Sequence, residues 1–488
     1  MRAPVLILGA GPAGLTAAYE LSKHCVRSIV LEQDSCVGGL ARTVSYKNYR
    51  FDIGGHRFYT KVALIEKMWR EVLGEDFITC KRLSRIYYRS KFFHYPIEPL
   101  EAFTGLGPIE AARCAFSYAA AQVRPRQPET DFETWISNRF GKRLYEIFFK
   151  TYTEKVWGMP CTEIRAEWAA QRIRGLSLAS LLGNAFGFSR NGHTKRAVKT
   201  LVHQFHYPRL GPGLMWTRTR ELAEEGGAEV LLNAPVDRIS WEPGGVTSVR
   251  SGQQTYQADH VISSIPIRDL IGRLDPAPPA ELGEATADFN YRDFLTVALI
   301  VRGRDLFPDN WIYIHEPGVK VGRIQNYKNW SADMVPDPET TCLGLEYFCF
   351  AGDGLWSASD AELILLAKQE VARLGLVREK DVLDGAVVRV PKAYPVYDRS
   401  YQRGLAALRR FLASVPNLQC VGRNGMHRYN NQDHSMLTAI LAARNVVGGR
   451  FNLWDVHVDE DYLEDGFELS EAEIAAMEAS QPLAAEGS

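Results

Sequence analysis

The stretch Val5-Leu6-Ile7-Leu8-Gly9-Ala10-Gly11-Pro12-Ala13-Gly14-Leu15 constrains this chain more than any other. It sets G-x-G-x-x-G directly after an apolar run and directly before a helical pattern of Leu15, Ala18, Tyr19 and Leu21. Gly9 lets the chain turn out of a strand, Gly11 lets a pyrophosphate approach the backbone, and Gly14 lets helix and strand pack closely. The helix N-terminus then offers free N–H groups and a positive dipole end to the phosphates. Glu32 closes the next strand-like run, Ser28-Ile29-Val30-Leu31, where a carboxylate can accept hydrogen bonds from both ribose hydroxyls. A glycine pattern alone can be a helix-packing turn. With strand, helix and acid in place it reads as a dinucleotide site.

Two further segments favour FAD over NAD. Gly38-Gly39 with Arg42 would lay a second backbone segment and a cation along the pyrophosphate. Phe51-Asp52-Ile53-Gly54-Gly55-His56 puts another glycine pair beside a histidine, and a flat isoalloxazine needs such close backbone approach. Each pair alone reads equally well as a loop turn. Their order after a Rossmann start is what points to FAD. No second strand–G-x-G-x-x-G–helix unit exists, so a separate NAD(P) domain is not expected.

A length of 488 residues implies two or three domains. The net charge of −1 offers no cationic excess for nucleic acid. The eight cysteines are scattered without a C-x-x-C pair, which reads as reduced thiols in a cytoplasmic protein rather than a disulfide framework or metal site. No apolar run is long enough for a membrane-spanning helix, while peripheral membrane contact stays open.

The expected fold is α/β. A Rossmann-type FAD-binding domain is assembled from separated segments (1–61, 196–270 and 415–455). It carries a helical insertion (62–195) and an antiparallel β-sheet substrate domain (271–414), with a flexible tail at 466–488. The helical reading covers most of 62–190, including Ile109 to Val123 and Phe132 to Phe149. A last helix is expected over Ser435 to Val447, with Asp433-His434 fixing the turn before it.

Four segments together resemble the flavin-dependent UDP-galactopyranose mutases, within the larger amine-oxidase and protoporphyrinogen-oxidase-like superfamily. The first is Gly54-Gly55-His56. The second runs from Arg139 to Gly158, where the resemblance implies that Phe148, Tyr152 and Trp157 hold base and sugar. Phe148 and Tyr152, four apart, share one helix face; by spacing alone such a pair is equally a core pair. The third is Gly322-Arg323-Ile324-Gln325-Asn326-Tyr327-Lys328, whose arginine pairs with the substrate diphosphate in the family. The fourth is Gly422-Arg423-Asn424-Gly425-Met426-His427-Arg428-Tyr429-Asn430-Asn431-Gln432-Asp433-His434-Ser435. There the tyrosine contacts the diphosphate, and the helix N-terminus faces the flavin. The resemblance assigns Val236, Gly422, Arg423, Gln432, Ser435 and Met436 to the cofactor. It assigns Arg172, Tyr394 and Asn431 to the substrate, with Arg174 as an alternative to Arg172. Ala393-Tyr394-Pro395 looks as much like the oxidase-type members.

The resemblance implies a redox-neutral pyranose–furanose exchange of a nucleotide-diphosphate sugar. N5 of reduced FAD attacks the anomeric carbon, and NADPH or another donor supplies the reduction. Arg323 and Tyr429 would neutralise the leaving diphosphate, and His56 would sit at the flavin edge. No metal is called for. The competing reading is an FAD-dependent oxidoreductase of amine-oxidase, protoporphyrinogen-oxidase or desaturase type. The residues leave base, sugar, reductant and homo-oligomeric state open.

Overall fold

The computed structural model describes residues 2–60, 62–95, 97, 99–166, 204–287, 289–397 and 401–456. Its first sheet has a parallel core of five strands in the order Glu229–Leu231, Ser28–Leu31, Arg2–Leu8, Gln254–Ser263 and Leu418–Cys420. Neighbours in this core are far apart in sequence: Leu8 lies opposite both Leu31 and Ser263, and Val261 lies opposite Leu418. The strands read as continuous apolar runs because both faces are covered. Val5 and Ile7 face a cluster that holds Leu21, Trp216 and Ile440, from the helices Pro12–Lys23, Gly213–Glu225 and Gln432–Val446. Leu6 and Leu8 face the opposite cluster, with Val249, Leu408 and Phe411. Strands Arg238–Glu242 and Gly245–Ser251 form an antiparallel extension that joins the start of Gln254–Ser263.

The second sheet has seven strands in the order Val382–Pro395, Tyr291–Arg302, Thr340–Cys349, Arg323–Asn326, Trp311–Ile314, Ser84–Tyr88 and Lys91–His94. All neighbours are antiparallel except Trp311–Ile314 with Ser84–Tyr88. The helix Asp360–Arg373 covers one face, packing Leu363, Ala367 and Val371 against Leu295, Val297, Leu299, Leu343 and Leu345. That helix begins with a reciprocal cap between Ser359 and Glu362, which satisfies backbone N–H groups at its first turn. The other face of the sheet carries Ala298 and Cys342, packed with Phe51, Tyr207, Tyr327 and Trp330.

The stretch 62–190, expected to be mostly helical, contains three strands: Phe77–Lys81, Ser84–Tyr88 and Lys91–His94. Two of them extend the seven-stranded sheet, so that sheet draws on residues far apart in the chain. The partner of Ser84–Tyr88, Trp311–Ile314, lies more than two hundred residues on, and local periodicity carries no signal of such pairing. Helices follow at Pro99–Leu106, Pro108–Val123, Phe132–Phe140 and Lys142–Tyr145. A π-helical turn, Glu146–Lys150, leads into Thr151–Trp157. The last helix starts at Gln432, three residues before the expected Ser435, so Asp433 and His434 lie in its first turn rather than before it.

Candidate functional site

The glycine loop takes its shape from its contacts. Gly9 has φ +96°, and its N–H donates to Leu31 O at 2.8 Å, which ties the loop to the neighbouring strand. A Cβ on Gly14 would lie 1.8 Å from Gly9 O, so no other residue fits there without moving the backbone. The second glycine pair lies against the first: Gly38 N–H donates to Ala10 O at 2.9 Å, and a Cβ on Gly39 would lie 3.2 Å from Gly11 Cα. Two segments without side chains thus meet at the N-terminus of Pro12–Lys23. This arrangement suits a pyrophosphate.

Glu32 is buried beside them. Its two oxygens accept N–H bonds from Ala10 at 2.7 Å and Asp34 at 2.9 Å. Burial raises its pKa, while those two bonds oppose the rise. Ala234 N–H donates to Glu32 O at 2.7 Å, which brings the segment leading to buried Val236 alongside. Arg42 pairs with Asp34 at 2.6 Å. On the other side, a Cβ on Gly422 would lie 2.9 Å from Ala13 Cβ, and Gly422 N–H donates to Thr438 Oγ1 at 3.1 Å. Ser435 and Met436 are buried in the same helix as Thr438, and Met436 Sδ accepts from Trp69 Nε1 at 3.1 Å. These donors and the bare backbone fit the dinucleotide portion of FAD.

The Gly54-Gly55-His56 loop reaches the second sheet. A Cβ on Gly54 would meet Phe294, Glu346 and His56 at 3.8–3.9 Å, and one on Gly55 would lie 2.8 Å from Gln325 Nε2. Burial, with Arg423 and Arg323 nearby, pushes the His56 imidazole down to about 3, so it is neutral at pH 7. Just before the loop, Asp52 is fully buried and accepts from Tyr207 and from Thr43 Oγ1. Burial pushes its carboxyl up to about 7.

Arg323 opens the strand Arg323–Asn326. Its Nε and Nη2 both reach Glu346 Oε2 at 2.5 Å, while Gln325 Nε2 donates to Glu346 Oε1 at 2.7 Å. The register places Arg323 directly opposite Glu346. Glu346 is fully buried, and its charge helps hold the guanidinium well above its ordinary pKa against the opposing effect of desolvation. Tyr152, Tyr394 and Tyr313 lie near the same guanidinium. Tyr152 stacks on His315 at 5.1 Å and meets Tyr313 edge-on at 5.3 Å. Tyr394 stacks on Tyr429 at 5.7 Å, and the Arg423 guanidinium lies over both rings. Arg423 also donates to Asn430 O at 2.8 Å and to Ala393 O at 3.2 Å.

The structure therefore gathers His56, Arg323, Tyr152, Tyr394, Tyr429 and Arg423 around one region. Phe148 and Trp157 are buried in an apolar cluster with Phe132 and Ile136, and Phe148 meets Phe93 edge-on at 5.2 Å. Phe93, Ile86 and Tyr313 form one cross-strand row, so Phe148 and Tyr152 lie over the same sheet row. Asn431 is the exposed N-cap of the last helix, and Gln432 Oε1 is buried without a hydrogen-bond partner. Arg172 and Arg174 lie outside the described residues. Sequence reasoning gave no role to Glu346, Gln325, Tyr313 or His315. A glutamate inside the apolar run Thr340–Cys349 is the one readable signal among them.

A sequence model of the family of flavin-containing amine oxidoreductases matches residues 12–448. An inactive all-trans-retinol 13,14-reductase of Danio rerio is 25% identical over 271 residues, covering 48% of this chain and 42% of the relative. A Mycobacterium tuberculosis protein named as a flavin-containing monoamine oxidase is 26% identical over 291 residues, covering 57% of this chain and 60% of the relative. The chain thus spans about half the length of these curated relatives. The structure of a reduced UDP-galactopyranose mutase superimposes with a TM-score of 0.81 at 21% identity, covering 96% of this chain and 100% of that one. That likeness is one of fold.

Proposed function

The chain belongs to the flavin-containing amine oxidoreductase family, takes FAD as its cofactor, and within that family we propose that it is a nucleotide-sugar pyranose/furanose mutase. The observation that carries this reading is Arg323, oriented by buried Glu346 and flanked by Tyr152, Tyr313 and Tyr394. Nε and Nη2 serve Glu346, which leaves Nη1 for a phosphate oxygen. Tyrosine hydroxyls beside a guanidinium suit a diphosphate better than an apolar amine or polyene. Tyr152 would present a ring face to base or sugar, and Tyr429 would add a hydroxyl to the leaving diphosphate. Neutral His56 would accept a hydrogen bond at the edge of the site. Bound in its reduced state, FAD would supply a nucleophilic nitrogen to the anomeric carbon.

The stacked pair Tyr394 and Tyr429 favours a second reading, an FAD-dependent oxidoreductase, because two parallel rings can also channel an amine or an unsaturated substrate. One experiment separates them. FAD-loaded protein is reduced chemically and incubated without oxygen with UDP-galactose, then with dTDP-sugars. Ring-isomerised product with no consumption of reductant supports the mutase. No isomerisation there, together with bleaching of the oxidised protein by an amine or unsaturated substrate and O2 uptake when that mixture is aerated, replaces it with the oxidoreductase.

A further inference from the structure

Among the described residues, three of the six large hydrophobic side chains that are exposed lie on one helix, Pro108–Val123. Ile109, Phe116 and Val123 are 72%, 78% and 80% exposed. They recur every seven residues, and exposed Ala112 and Ala119 fill the positions between them. The helix turns its other side inward. Cys114 is fully buried, Ser117 Oγ accepts from Arg143 N–H at 3.0 Å, and Gln122 donates to Asn138 O at 2.9 Å. A helix that merely faces water carries charge on its outer side. This one carries a continuous apolar stripe there.

The surrounding charge is cationic. Arg113 is 66% exposed beside the stripe, with a 3.7 Å contact to Glu110. Exposed Arg124 and Arg126 follow its C-terminal end, Arg126 with a 3.5 Å contact to Glu133; all three guanidinium groups still face solvent. The helix's one carboxylate, Glu110, is mostly covered, bonded to Arg143 and in longer contact with Arg113. We propose that this face docks in the plane of an anionic lipid bilayer, with Ile109, Phe116 and Val123 entering the acyl boundary and Arg113, Arg124 and Arg126 meeting lipid phosphates. An apolar stripe with flanking arginines is the pattern of an interfacial helix. A second copy of the chain would bring the same arginines and no free carboxylate from this helix. No described helix is long and apolar enough to cross a membrane, so the contact lies along the surface.

The test is co-sedimentation of FAD-loaded protein with vesicles of phosphatidylcholine alone or mixed with phosphatidylglycerol. Binding is expected on the anionic vesicles and should weaken as salt rises. Phe116→Glu should reduce it at least roughly tenfold while flavin content and thermal stability stay unchanged, because the Phe116 side chain projects outward. Loaded, folded protein that ignores anionic vesicles at low salt overturns the proposal. So does Phe116→Glu protein that binds them equally well. A lipid-independent dimer abolished by Phe116→Glu overturns it in favour of a second copy.

Discussion

Replacing Arg323 by alanine should have two separable effects. Glu346 is fully buried and would lose both guanidinium contacts, keeping only Gln325 Nε2 as a donor. Stranding one member of a buried pair costs about 3–5 kcal/mol. The Arg323 side chain is 18% exposed, so water can enter part of its space, and about 2–4 kcal/mol is the better figure here. The apparent melting temperature should fall by roughly 2–4 °C, because the unfolding entropy of a chain this long is about 1 kcal/mol per kelvin. Adding Glu346→Gln removes the stranded charge, and the double variant should regain most of the loss, short of about 1 kcal/mol for the missing hydrogen bonds. Ligand binding should not recover. Calorimetric titration with UDP should show both variants weakened by about 30-fold or more relative to the parent. A double variant no more stable than Arg323→Ala refutes the stranded-charge argument. Unchanged UDP affinity in the double variant removes Arg323 from the binding site.

Two further outcomes follow from buried groups elsewhere. Gly14→Ala should yield protein with little bound FAD, read from visible absorbance per chain, because the added Cβ would lie 1.8 Å from Gly9 O; a full flavin complement in that variant refutes the close-packing argument. The Asp52 carboxyl is raised to about 7 by burial, so the folded state binds the extra proton between the ordinary carboxylate range and pH 7. Stability contributed by this group is therefore lost as pH rises through that window. Asp52→Asn should abolish that loss, gaining up to about 4 kcal/mol over the parent at about pH 8 and little at about pH 4. Thermal unfolding across that range checks it, and parallel pH profiles for the two proteins would refute it.

The cofactor half of the site was legible in the sequence because its requirements are local. A strand, three glycines, a helix and an acid at the end of the next strand occupy one short stretch, and their geometry follows from backbone sterics and hydrogen bonding. Gly9, Gly14 and Glu32 meet through contacts that such a unit forces. The parallel strands were readable as apolar runs for the same reason.

The other half depends on pairing across long distances. Arg323 was visible as a residue, but its orientation comes from Glu346, which faces it only through strand register. Ser84–Tyr88 became a strand by pairing with Trp311–Ile314, and that pairing set Tyr313 and His315 beside Tyr152. Burial is likewise a tertiary property: it makes His56 neutral and Asp52 hard to ionise, and no spacing in the sequence encodes it. Sequence alone determined the Rossmann unit and its cofactor class, since those rest on contacts between near neighbours. Tertiary structure alone decided which charges face one another in the site and which apolar helix face was left uncovered, because both are set by which distant segments pack together.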